Sequence, residues 1–87
     1  MRTGKLKYDH DLGLWFIETI DDVIPDLDPF YLEIAIKVFD NYHMCELIYD
    51  EKKANYYADF LKISFYLRKS CIYEVKFQIW EENQIPF

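Results

Sequence analysis

Period-two alternation predicts a mostly β fold for this chain, a small antiparallel sheet of five or six strands. Three observations carry that reading. Alternation of apolar and polar residues dominates the chain, β-branched and aromatic residues fill the alternating runs, and short polar segments separate them. Sequential strands with short connections suggest a meander, curled into a partly closed barrel or packed against one short helix. An α+β arrangement is the alternative.

Residues 4–9 and 14–20 form the first pair of strands, joined across His10-Asp11-Leu12-Gly13, where Asp and Gly suit a hairpin turn. In the second strand Trp15, Ile17 and Thr19 alternate with Leu14, Phe16, Glu18 and Ile20, so both faces carry apolar groups and a strand covered on both sides is expected. Residues 21–29 follow as an irregular loop punctuated by Pro25 and Pro29.

Residues 30–39 support two readings. Leu32, Ile34, Ile36 and Val38 share one strand face, opposite Glu33 and Lys37. The Asp28-Pro29 pair and the Glu33 to Lys37 spacing would suit a helix instead. The β-branched content favours the strand. Residues 40–43 then turn, residues 44–49 return, and residues 50–55 turn again, with a short helix over 51–60 as an alternative.

Leu61, Ile63, Phe65 and Leu67 alternate with polar neighbours, as do Tyr73, Val75, Phe77 and Ile79 beyond the turn at residues 68–70. These two runs read as a closing hairpin. The candidate core is Leu32, Ile34, Ile36, Leu61, Ile63, Phe65, Leu67, Tyr73, Val75, Phe77 and Ile79. At 87 residues the chain suits one domain with one core. Its two Gly and three Pro leave no linker-like stretch.

The opening residues 1–9 hold no apolar run of signal-peptide type, and no segment approaches the ~18 apolar residues of a membrane span. A cytoplasmic location without membrane contact is the expectation, with Cys45 and Cys71 reduced there. The net charge of −6 argues against nucleic acid as a direct partner, because phosphate binding needs clustered cations. Lys52-Lys53 and Arg68-Lys69 are the short basic runs, and both read as turns.

That charge is unevenly distributed. Residues 8–36 hold eight carboxylates and no Lys or Arg, whereas Arg2, Lys5 and Lys7 precede them and residues 37–87 come to −1. Asp21, Asp22, Asp26 and Asp28 are interleaved with Val23, Ile24 and Leu27, and Pro25 holds part of the segment extended. Carboxylates spaced ~6–7 Å apart along an extended chain lie near the phosphate repeat of a nucleic acid strand. Asp21, Asp22, Asp26 and Asp28, flanked by Glu18 and Glu33, are therefore the candidate partner-binding residues, directed at a basic groove. A solubilising loop is the competing explanation.

Chemistry that would name an enzyme is missing from the motifs. His43 and Cys45 would share a strand face, but only His10 and Cys71 remain as distant donors for a zinc site. The Asp9-x-Asp11 and Asp26-x-Asp28 pairs lack the glycine and terminal Glu of a calcium loop. Cations at Arg68 and Lys69 could activate Cys71, yet no nucleophile elbow, zinc helix or P-loop is present. No metal, cofactor or catalytic residue is expected.

In size, acidity and lack of catalytic groups the chain resembles small phage-encoded inhibitors, including anti-CRISPR proteins and inhibitors of uracil-DNA glycosylase. The likeness is one of bulk properties across the whole chain. It implies a non-catalytic inhibitor that covers the basic nucleic-acid-binding surface of a partner enzyme in a host cytoplasm. The eight tyrosines supply the alternative, a homodimer or larger assembly formed through the sheet and a tyrosine-rich surface.

Overall fold

The computed structural model describes residues 1–25, 27 and 32–80. Within them lie β1 (Arg2–Asp9), β2 (Leu14–Glu18), β3 (Val23–Ile24), β4 (Leu32–Val38), β5 (Asn41–Asp50), β6 (Asn55–Asp59), β7 (Ser64–Tyr66) and β8 (Tyr73–Ile79). They form one antiparallel sheet in the order β3-β2-β1-β8-β4-β5-β6-β7. The mostly β expectation holds, but eight strands replace the five or six. Residues 30–39 contribute β4, not a helix. Of the loop at 21–29, Val23 and Ile24 add an edge strand, while Asp26, Asp28 and Pro29 lie outside the described residues.

Two corrections concern the second half. The helix alternative over 51–60 fails because Asp50 Oδ1 accepts the N–H groups of Lys52 and Lys53, closing a turn that leads into β6. The closing hairpin of residues 61–67 with 73–79 does not form. β7 pairs with β6, and β8 inserts between β1 and β4, which interrupts the meander. The reason lies in burial. Val75 and Phe77 are fully buried, and a strand this apolar on one face gains most from neighbours on both edges.

The core comprises Leu6, Trp15, Ile17, Ile24, Leu27, Leu32, Ile34, Ile36, Leu47, Ala58, Leu67, Val75 and Phe77. Phe65 and Tyr73 pack partly against it, as expected. Leu61, Ile63 and Ile79 are exposed instead. Phe60 N–H donates to Ile63 O at 2.9 Å, so residues 60–63 are a turn and the alternation before Ser64 is not strand alternation. β2 is covered on one side only, by Trp15 and Ile17, with Leu14 open to solvent.

β5 bends the sheet back on itself. Its first half, Asn41 to Cys45, pairs with β4, and its second half, Glu46 to Asp50, pairs with β6. Trp15 Nε1–H of β2 then reaches Asn55 Oδ1 of β6 at 2.9 Å, and Asn55 Nδ2 donates to Leu67 O at 2.7 Å. Side chains of β2 and β6 therefore meet across the core, although β3 and β7 do not pair with each other among the described strands. Where β1 passes closest to β2, only glycine fits: a Cβ on Gly4 would lie 2.8 Å from Ile17 Cγ2 and 2.9 Å from Glu18 O.

Candidate partner-binding surface

Among the described residues, the sequence-nominated carboxylates are spread along one face of the sheet and the turn at its edge. Glu18 ends β2, and Asp21 and Asp22 occupy the turn into β3. Glu33 sits on β4, beyond β1 and β8, so three strand spacings of ~4.8 Å separate it from Glu18. Asp26 and Asp28 lie outside the described residues. The basic N-terminal run becomes β1, antiparallel to β2, and faces the acids directly. Lys7 Nζ meets Glu18 Oε1 at 2.9 Å, and Arg2 Nη2 meets Asp22 Oδ1 at 2.7 Å.

The turn itself is built on Thr19. Its Oγ1 accepts the N–H groups of Asp21 and Asp22, and its hydroxyl donates to Asp22 Oδ1. The Thr19 hydroxyl and the Arg2 guanidinium hold the Asp22 carboxyl below its ordinary range, and Lys7 does the same for Glu18 through a hydrogen bond and its charge. Asp21 projects into solvent without an ion pair among the described residues.

Lowered carboxyl values in the folded state set the sign of an acid dependence. The stabilisation is fully present above the unfolded carboxylate values near pH 4 and is lost as pH falls through the lower folded values. The expected result is a urea midpoint for Glu18→Gln/Asp22→Asn slightly below that of the parent at pH 7. The two midpoints converge once pH has fallen through the lowered folded values of Glu18 and Asp22. A gap that widens on acidification would contradict the pairing.

Two turns have an unusual feature in common. Val38 and Asn41 pair across Phe39-Asp40, and the Phe60–Ile63 bond brackets Leu61-Lys62. In each, the first residue of the two has positive φ, 58° at Phe39 and 78° at Leu61, where hairpins of this length favour glycine. Each side chain is also almost wholly exposed, Phe39 at 93% and Leu61 at 98%. Positive φ costs a bulky residue ~1–2 kcal/mol, and exposure forgoes the ~1.5–3 kcal/mol that burial would return.

Leu61 overhangs β5. Together with Met44, Cys45, Glu46 and Asp59 it lines a concavity of about 260 Å³. Glu46 and Asp59 are directly opposed cross-strand partners, an unfavourable pairing of like charges. Neither is in an ion pair among the described residues. Asp59 Oδ1 accepts the Leu61 N–H at 3.1 Å. Burial first, and then the charges of Asp59 and Glu46, push the Cys45 thiol up to about 12, so it stays protonated and unreactive at neutral pH.

On the same side of the sheet, Tyr57 and Tyr66 pack edge to face at 5.6 Å between ring centroids, and the Tyr66 hydroxyl donates to Asp50 Oδ2 at 2.6 Å. That bond lowers the Asp50 carboxyl and raises the Tyr66 phenol. Among the described residues no three His, Cys, Asp or Glu side chains converge as metal ligands.

The sequence assigns no partner-binding role to Phe39, Met44, Glu46 or Asp59, and it places Leu61 in the core, where the structure leaves it exposed. Neither turn tip contains Gly, Asn or Pro to announce it. The opposition of Glu46 and Asp59 does have a signal: counting outward from the turn after Asp50 pairs 50 with 55 and 46 with 59. No protein family, curated protein or solved structure matches the chain.

Proposed function

We propose that this chain is a non-catalytic binding protein that docks on a basic surface of a protein partner. Where that surface receives nucleic acid, docking blocks it, as an inhibitor would. The observation that carries the reading is the charge balance together with its location. The chain is at −6, and the twelve Asp and Glu and ten Lys and Arg among the described residues all lie outside the core. Pairing of Glu18 with Lys7 and of Asp22 with Arg2 shifts weight to carboxylates without ion pairs among the described residues, including Asp21, Glu33, Asp40, Glu46 and Asp59. Asp26 and Asp28 remain part of the proposal on sequence grounds.

The test is capture of a partner by the tagged chain after nuclease treatment, followed by elution with salt. Raising salt from about 0.1 M to about 1 M shortens the screening length from ~10 Å to ~3 Å and is expected to release the partner. The released protein should bind nucleic acid, and at least tenfold less well once the chain is added back. A partner held equally at both salt concentrations, or one that binds nucleic acid undisturbed, would refute this function.

One observation favours self-association as a second reading. Tyr57 and Tyr66 form an aromatic surface beside β7, whose outer edge is unpaired among the described strands. A sedimentation mass of one chain at high concentration and high salt would eliminate it.

A further inference from the structure

We propose that the concavity between Met44 and Leu61 receives an arginine or lysine side chain from a protein partner, with Phe39 as a second apolar contact. The inference rests on the acidic-binder reading and gives it a location. Phe39 and Leu61 repeat one anomaly in two unrelated turns: an apolar side chain held out in solvent on backbone that disfavours it. Strained backbone persists where its surroundings over-determine it, and such outliers cluster at ligand-contacting positions. Both turns open toward the same end of the sheet, because β4 and β6 run the same way beside β5.

The occupant follows from the lining. At about 260 Å³ the concavity lies below the ~300 Å³ at which small-molecule pockets begin and suits one long side chain. Its apolar walls, Met44 and Leu61, match an aliphatic stem. Its polar walls, Glu46 and Asp59, oppose one another with no cation between them among the described residues. A guanidinium or ammonium head placed there relieves their repulsion and gains charge-assisted hydrogen bonds. Lys62, next to Leu61, reduces the negative rim without cancelling it.

Other occupants fit less well. A two-fold contact with a second copy would set Asp40, Glu46 and Asp59 against their own counterparts. An anionic lipid surface would meet the same carboxylates.

The chain has only two methionines, Met1 and Met44, so a methyl-labelled methionine NMR spectrum reports the site through one signal. The probe is the peptide acetyl-Phe-Arg-Leu-Arg-Phe-amide, with a control in which citrulline, the uncharged analogue, replaces arginine. The expected result is a saturable shift of the Met44 methyl, at least tenfold weaker affinity for the citrulline peptide, and at least tenfold loss in Glu46→Gln/Asp59→Asn. Leu61→Gly should weaken binding while raising the melting temperature by a few degrees, since it relieves the positive φ and removes no buried contact.

A Met44 signal that stays still while backbone amides near Asp21 or Glu33 shift saturably would overturn this site and leave the broader function standing. Equal response to both peptides would overturn the charge assignment. A Met44 signal that moves on dilution of the protein alone would replace the partner with a second copy. No saturable shift anywhere would overturn site and function together.

Discussion

Phe77→Ala is expected to destabilise the fold by ~3–5 kcal/mol, close to the whole stability available to a chain of this length. Phe77 is fully buried on β8, flanked by Arg2 of β1 and Ile34 of β4. Its ring also lies 5.2 Å from the Arg2 guanidinium carbon. Removing the ring leaves a cavity at the centre of the sheet, where backbone pairing on both edges resists collapse. Urea denaturation followed by tryptophan fluorescence measures the loss. A cost under about 1 kcal/mol would mean that β8 is not the central strand, since surface positions change stability by that little.

Gly4→Ala is expected to cost ~1–3 kcal/mol, against the usual gain from replacing a strand glycine. The added methyl group meets Ile17 Cγ2, on a stiff β-branched side chain buried in the core, and Glu18 O, which cannot move without opening the β1–β2 ladder. Gly13→Ala is the control. It lies in open space with Tyr8 Oη at 3.6 Å, so its cost comes from φ +70° alone. Comparing the two urea midpoints separates steric from conformational penalties. A neutral or stabilising Gly4→Ala would show that the two strands are further apart than described.

Alternation told which side of each strand is apolar, and in β4 and β8 it did so well. Leu32, Ile34, Ile36, Val75 and Phe77 are all buried as read. It did not tell which strands are neighbours, because period two is the same for a hairpin partner and a distant one. Hence the sequence points β8 to the strand before it, whereas its partners are β1 and β4. The error at Leu61 and Ile63 is of another kind. Their turn uses positive φ on a leucine, and nothing in the residue type reveals that choice.

The candidate surface was less legible still. The acidic window is plain in the sequence, but the charge of a surface depends on what folds beside it, and β1 brings Arg2 and Lys7 to Asp22 and Glu18. The Glu46–Asp59 opposition needs the β5–β6 register. That register stayed hidden while residues 51–60 had a helical alternative.

Because β8 fills the gap between β1 and β4, the middle of the sheet is made from opposite ends of the described chain: Arg2 pairs with Phe77 and Leu6 with Tyr73. Neither earlier strand can complete its ladder until the last one arrives. Closure across so many residues carries a large loop entropy before any contact rewards it, which places folding in the slow, milliseconds-to-seconds class of all-β topologies. During that wait the β1 and β4 edges stand open, and a nascent chain cut short before Tyr73 would expose them permanently to aggregation.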